Sequence, residues 1–218
     1  LLDTETNRQK EPEIVQAAGM RLPDEPHFTL DGAAFEYFAR CYRPTAPNTF
    51  GALAVHHIMD ESLALCEPSR EFRLPEDCTI IVGHNPDYDW KAIGSPKVRR
   101  ICTLALARKL WPALDSHAQG ALLYYLERER ATALLRDAHS ATADVNNCAL
   151  LLTHIVAALP GVATWADLWR ESEAARIPDV MPFGKHKGVA VKDVPRDCKQ
   201  WLLGQPDVDP YLRTALQA

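Results

Sequence analysis

The sequence predicts an α/β or α+β domain with a mixed central sheet flanked by helices, followed by a small C-terminal module. Strand-like segments come first in the chain, and helical segments then alternate with short apolar strands. That order is typical of a mixed sheet. The composition agrees, because 218 residues with 47% hydrophobic and 24% charged side chains can bury a core beneath a polar surface.

Three strand-like segments open the chain. The first resembles the middle and end of a buried strand, so we expect the natural chain to have a few residues before Leu1. The second is apolar and extended, the third is rich in aromatic residues, and Asp31-Gly32 is a plausible turn between them. The three segments are residues 1–6, 14–22 and 35–42.

The middle of the chain alternates between strands and helices. Residues 79–83 form a short continuous apolar run bounded by polar residues, which indicates a buried strand. A second short strand is predicted at residues 100–102. Thr103 is placed to cap the helix that follows. Helices are predicted in two pieces within residues 49–66, and at residues 87–93, 104–110, 119–130, 142–159 and 164–173.

The character of the chain changes after Pro178. We therefore predict one domain over residues 1–175 and a small module over residues 178–218, with a helix around residues 198–203. The module begins with a compact basic element, Phe183 to Gly188, that contains Lys185, His186 and Lys187. This element could grip phosphates or could be a glycine-punctuated hairpin with exposed basic residues, and both interpretations stay open.

The bulk composition limits the classes of function. No apolar run approaches the ~20 residues that a membrane helix needs, and the N-terminus lacks the layout of a signal peptide. Six cysteines without a C-x-x-C pair argue against a zinc site and indicate reduced thiols in a cytoplasmic protein. The net charge of −5 disfavours nucleic-acid binding by bulk electrostatics, unless the acidic residues gather around divalent cations.

Asp3 and Glu5 form the first candidate for chemistry. They lie two residues apart at the end of a predicted strand, so both carboxylates point to the same side. Two adjacent carboxylates repel, and at least one pKa rises unless a cation neutralises them. Oxygen ligands suit Mg²⁺ or Mn²⁺. Such pairs are common on exposed strands, so this pair alone does not identify a site.

A second group of acidic residues follows the predicted strand at residues 79–83. The segment His84-Asn85-Pro86-Asp87-Tyr88-Asp89 stands just beyond a strand's carboxyl end, where α/β sheets usually carry function. Asp87 and Asp89 both qualify by charge. We expect one of them to be only a helix cap.

His139 and Asp144 form the third candidate. If both were on one helix, a separation of five residues would place them about 140° apart. They converge if His139 lies in a loop and Asp144 in the first turns of the helix that follows. Asp144 would then be a metal ligand and His139 a mobile base.

In this order the three segments resemble the DEDDh family of 3′–5′ exonucleases, whose pattern is D-x-E, an H-N-x-x-F-D-like segment and H-x-A-x-x-D. The middle motif selects Asp89 over Asp87. The resemblance is greatest to the bacterial exodeoxyribonuclease X group and spans almost the whole chain. Three positions depart from the pattern: Asn7-Arg8 after Thr6 instead of T-G, Gln16 in a segment that often reads I-V-E-I, and Tyr88 for Phe.

The resemblance implies an RNase H-like exonuclease fold and two divalent ions, Mg²⁺ or Mn²⁺. It implies that Asp3 bridges both ions and that His139 takes the proton from an attacking water, with a nucleoside 5′-monophosphate as product. The implied metal ligands are Asp3, Glu5, Asp89 and Asp144. We select as substrate-binding residues Thr6, His56, Lys185 and Lys187.

The expected partner is DNA, as a single strand or as the 3′ end of a duplex, with no membrane. The preference for DNA over RNA rests on the resemblance alone. An exoribonuclease or oligonucleotidase would use the same residues, because discrimination depends on contacts to the 2′ position. A non-catalytic nucleic-acid-binding accessory protein is disfavoured, since all five expected site residues are present. The sequence indicates no oligomeric state.

Overall fold

The computed structural model describes residues 1–32, 34–136 and 140–218. The strands in these ranges are β1 (Leu2–Thr6), β2 (Ile14–Met20), β3 (Tyr37–Arg43), β4 (Glu67–Pro68), β5 (Ile80–Gly83) and β6 (Arg99–Cys102). The helices are α1 (Phe50–His56), α2 (Asp60–Leu63), α3 (Asp87–Ala92), α4 (Thr103–Leu110), α5 (Gln119–Leu126), α6 (Ala131–Leu134), α7 (Ala141–Ala157), α8 (Trp165–Arg176), α9 (Arg196–Leu203) and α10 (Pro210–Gln217).

The strands confirm the prediction of a mixed sheet flanked by helices. The order β1-β2-β3-β4 is antiparallel except for the parallel β3–β4 pair, and β5 and β6 form a second, parallel pair. β1 and β5 lie side by side, with Leu2 and Ile81 in one apolar cluster. A Cβ on Gly83 would lie 3.1 Å from the carbonyl oxygen of Leu2, so a larger residue there would push the two strands apart.

Helix α7 lies across β1 and β2. Small side chains allow the close approach, since Ala18 of β2 packs with Ala141, Val145 and Ala149 of the helix. The other buried side of α7 faces the main core. That core is formed mainly by Val82, Ile101, Leu106, Leu122, Leu151, Leu152, Ile155 and Leu168. This packing fixes the start of α7 against the strand that carries Asp3 and Glu5.

Several predicted boundaries differ from the structure. The second strand ends at Met20 instead of residue 22. Cys102, not Thr103, caps α4, because its Sγ accepts a hydrogen bond from the Ala105 N–H at 3.4 Å. The helix predicted over residues 119–130 ends at Leu126, where the next side chain, Glu127, turns to His154 at 2.6 Å. Strand β4 and helices α6 and α10 were not predicted.

The predicted boundary near residue 178 stays a prediction. The residues beyond it contain an apolar cluster of their own, formed by Met181, Val191, Val194, Leu202, Leu212 and Leu216. An antiparallel bridge between Val180 and Ala190 closes the basic element. Gly184 and Gly188 in its turn have φ of 74° and 82°, values that favour glycine. The element therefore has the geometry of a short hairpin. The phosphate-binding role of Lys185 and Lys187 stays a prediction.

All six cysteines are free thiols. Within the described ranges, no helix combines the length and apolar character needed to cross a membrane.

Candidate active site

Three carboxylates that are distant in sequence meet beside β1. Three residues each contribute a carboxylate oxygen, and these oxygens lie within 4.8 Å of one another; the residues are Asp3, Glu5 and Asp144. The alternation of β1 places Asp3 and Glu5 on one side, as predicted. The Ser140 hydroxyl caps α7 by accepting from the Ala143 N–H at 3.3 Å. Asp144 therefore falls in the first turn of the helix, as predicted. We call these three residues the acidic cluster.

Two amides fix the start of α7 next to the sheet. The Gln16 side-chain oxygen accepts from the Ala141 N–H at 3.0 Å. Gln119 of α5 donates to the Asp144 backbone carbonyl at 3.0 Å and to its carboxylate at 3.4 Å. Gln16 is one of the departures from the family pattern, and its amide holds the helix that carries Asp144.

Asp89 lies beside the acidic cluster and is oriented by β1. Its Oδ1 accepts from the Thr4 backbone N–H at 3.0 Å and from the Thr4 hydroxyl at 2.6 Å. The side chain is buried, and its charge contributes to the raised pKa values of both Asp3 and Glu5. The structure thus brings together all four acidic residues that the sequence selected.

Burial and mutual repulsion raise the pKa of these carboxyl groups. Burial, followed by the charges of Asp89, Asp144 and Glu5, raises the pKa of Asp3 well above its ordinary value. Burial and the neighbouring Asp144 and Asp89 raise the pKa of Glu5 to about 8. Burial raises the pKa of Asp89 to about 6, although the hydrogen bonds from Thr4 oppose it. A divalent cation would relieve this repulsion, so the residues fit the predicted metal.

Asp87 serves a different purpose from Asp89. Its carboxylate pairs with Arg176 at 2.9 Å and Arg100 at 3.2 Å. The residue before α3 is Pro86, and no side-chain hydrogen bond caps that helix. The expectation that Asp87 or Asp89 is a helix cap is therefore wrong. The ion pairs could not be seen from sequence because Arg176 lies far along the chain.

His84 anchors the segment that leads into α3. Its ring nitrogens lie 3.0 Å from the Thr103 hydroxyl and 2.9 Å from the His117 carbonyl oxygen. Burial lowers the pKa of His84 to about 4, so the ring stays neutral near pH 7. Asn85 follows with a φ of 70°, a left-handed conformation that asparagine tolerates. These two residues of the motif therefore shape the turn that presents Asp89.

His139 lies outside the described residues. Its predicted position in a loop beside the metal ligands, and its predicted role as the base, stay predictions.

Two of the four predicted substrate-binding residues line an open groove of about 1030 Å³ that includes Glu5. Thr6 lines it, and the Thr6 hydroxyl lies 2.6 Å from that of Tyr88, which also lines the groove. His56 is buried in its wall, and its Nδ1 accepts from the Ile58 N–H at 2.9 Å. Lys185 and Lys187 are exposed in the C-terminal segment. Among the described contacts, no hydrogen bond or ion pair links either lysine to the acidic cluster.

The same groove contains two cations that sequence reasoning missed. Arg8 and Lys10 line it directly after Thr6. The Tyr88 hydroxyl donates to the Arg8 carbonyl oxygen at 2.9 Å, so the tyrosine that replaces the usual Phe ties this turn to α3. The sequence did carry one signal for this contact: Arg8 and Tyr88 both depart from the family pattern, and both lie next to motif residues.

Comparisons with known proteins find similarity to exonucleases. No protein-family model matches the chain. Exodeoxyribonuclease 10 of Escherichia coli K12 is 29% identical over 197 residues, 86% of each chain, and the same protein of strain O6:H1 gives the same values. A solved structure of exonuclease X in complex with 5′ overhanging duplex DNA has a TM-score of 0.56 at 23% identity. That match covers 77% of this chain and 97% of the other, and it confirms the predicted exonuclease fold.

Proposed function

Because the chain is a relative of bacterial exodeoxyribonuclease X, as its DEDDh-type motifs predicted, we propose that it is a metal-dependent exonuclease that hydrolyses DNA from the 3′ end. The observation that carries the proposal is the acidic cluster of Asp3, Glu5 and Asp144 with Asp89 beside it. The relative's name supports DNA as the substrate. The expected product is a nucleoside 5′-monophosphate.

The acidic residues fit two Mg²⁺ or Mn²⁺ ions. Their donors are carboxylate oxygens, the ligands that hard cations prefer, and their raised pKa values mark a site with too much negative charge for its burial. Asp3 would contribute to both ions, with Glu5, Asp89 and Asp144 completing the set. When bound, the ions would activate a water and stabilise charge on the phosphate and the leaving oxygen.

The groove would hold the terminal nucleotides of the strand. Glu5 lines it together with Thr6 and His56, so a strand lying along these residues would bring its last phosphodiester to the acidic cluster. Arg8 and Lys10 would meet the phosphate charges there. His139 would accept the proton from the attacking water.

Lys185 and Lys187 are proposed to contact the phosphate backbone beyond the groove. Both are exposed on a turn that contains no acidic residue. The net charge of −5 leaves such local cations as the source of backbone attraction away from the metal site.

A gel assay of end-labelled strands tests the proposal. DNA and RNA of one sequence, labelled at the 5′ or 3′ end, are incubated with Mg²⁺, Mn²⁺ or chelator, with Asp144→Asn as control. A 3′–5′ exonuclease gives a shortening ladder from the 5′-labelled strand and labelled mononucleotide from the 3′-labelled strand, only with metal. Faster cleavage of RNA would favour an exoribonuclease. Binding without cleavage would leave the accessory-protein interpretation.

A further inference from the structure

Helix α3 carries two aspartates that point to opposite sides. Residues two positions apart on a helix lie about 200° apart around its axis. Asp89 therefore contacts Thr4 of β1 while Asp87 faces α8. On that second side, Nη1 of Arg176 donates to both oxygens of Asp87, at 2.9 and 3.1 Å. A helix of six residues therefore joins a proposed metal ligand to an ion pair on its other side.

Arg176 ends α8 and is held by the C-terminal segment. Its Nη1 also donates to the hydroxyl of Tyr211 on α10 at 2.9 Å. The guanidinium carbon lies 5.1 Å from the centre of the tyrosine ring. The Tyr211 hydroxyl in turn donates to Glu173 at 3.0 Å. Tyr211 thus fixes the arginine both by its ring and by its hydroxyl.

Arg176 is buried, so its charge depends on the counter-ions beside it. Its side chain is only 5% exposed, and its Nε and Nη2 make no hydrogen bond with the described residues. A buried cation needs its counter-ions, and these are Asp87 and, at 3.7 Å, Glu173. Any shift of α3 that took Asp87 away would leave the guanidinium charge poorly compensated.

A second arginine holds the same helix from β6. Arg100 pairs with Asp87 at 3.2 Å and lies 4.0 Å from the centre of the Trp90 ring, which is also on α3. Arg100 therefore holds α3 to the sheet, whereas Arg176 holds it to α8 and, through Tyr211, to α10.

We propose that Arg176 and Tyr211 are positioning residues for the metal site. Acting through Asp87, they hold α3 at the place where the Asp89 carboxylate meets Thr4 and the acidic cluster. The C-terminal segment then contributes to metal affinity although none of its described contacts reaches the ligands. The inference rests on the proposed function, because it takes Asp89 as a metal ligand.

Calorimetric titration of the full chain with Mn²⁺, well below its unfolding temperature, tests this inference. Tyr211→Phe keeps the ring but removes the hydrogen bonds to Arg176 and Glu173. We expect Arg176→Met to weaken Mn²⁺ binding about 10–100-fold, the usual range for residues that support metal ligands, and Tyr211→Phe, which leaves the Asp87–Arg176 ion pair in place, to weaken it less, about three- to tenfold. Arg213→Met is the matched control, because Arg213 is also on α10 and, among the described residues, donates hydrogen bonds to the Leu203 and Gln205 carbonyls alone.

The outcomes separate the two proposals. Weaker Mn²⁺ binding in Tyr211→Phe and Arg176→Met, with unchanged affinity in Arg213→Met even if that control unfolds at a lower temperature, supports specific positioning. Wild-type affinity in both Tyr211→Phe and Arg176→Met would overturn the inference while the proposed function stands. Equal weakening in Arg213→Met would also overturn it, since any loosening of α10 would then suffice. Absence of Mn²⁺ binding by the natural chain would refute the proposed function itself.

Discussion

Glu5→Gln should stabilise the metal-free protein at pH 8, although it removes a proposed metal ligand. Burial and the neighbouring Asp144 and Asp89 raise the pKa of Glu5 from 4.5 to about 8. The folded protein therefore binds more protons than the unfolded chain between these values. The contribution of Glu5 to the free energy of unfolding is therefore fully present below pH 4.5 and is lost as the pH rises to about 8. Glutamine carries no charge, so Glu5→Gln avoids this loss of stability.

The magnitude follows from the same shift. The difference between 4.5 and about 8, at 1.36 kcal/mol per pH unit, gives a ceiling of about 5 kcal/mol. Because Glu5 is partly exposed, solvent screening reduces this to about 1–3 kcal/mol. In a chain of this size that corresponds to a rise in Tm of roughly 3–10 °C.

Thermal unfolding in chelator at pH 5 and pH 8 measures the effect. The exposed Glu129→Gln serves as a control with the same chemical change away from the site, and its Tm should match that of the natural chain. Added Mg²⁺ should raise the Tm of the natural chain by mass action and raise that of Glu5→Gln much less. A Glu5→Gln protein that is no more stable than the natural chain at pH 8 in chelator would refute the reasoning.

Four further outcomes are expected. Asp144→Asn abolishes turnover while circular dichroism shows an intact fold, and near-normal Mg²⁺-dependent activity would contradict its assignment as a ligand. His139→Ala slows single-turnover cleavage by roughly 10²–10⁴-fold with metal binding kept; unchanged rates would remove the histidine from its role. Changing both Lys185 and Lys187 to Ala lowers the salt slope of DNA binding by roughly 1–2, and an identical slope would mean that neither contacts phosphate. Tyr88→Phe frees the turn at Arg8, so KM for DNA rises several-fold with little change in kcat; an unchanged KM would show that the hydroxyl does not shape the groove.

The sequence predicted those parts of the fold and site that depend on local periodicity. Strand alternation was enough to place Asp3 and Glu5 on one side, and the helix predicted from residue 142 placed Asp144 in its first turns. The purpose of Asp87 was not predictable, because it depends on ion pairs with Arg100 and Arg176 that only the tertiary fold creates. The helix cap was misplaced by one residue, since the sulfur of Cys102 does what a threonine hydroxyl normally does.

The groove was also beyond sequence reasoning. Arg8 and Lys10 belong to a loop between two strands, and nothing in their spacing shows that α1 lies across from them. Charged residues in a loop are most often solvated, so only the position of the neighbouring helix distinguishes these two.

Thr4 gives the site a dependence on folding that its ligands alone do not have. It lies between Asp3 and Glu5, so its side chain leaves the strand on the opposite side, and its N–H and hydroxyl both orient Asp89. A one-residue slip of β1 against β2 would exchange the two faces, moving both carboxylates away from Asp144 and the threonine away from Asp89. Chains with this slipped pairing would lack the site altogether. Divalent cations would therefore select the native register during refolding, and metal-free refolding should give more misregistered, inactive chains.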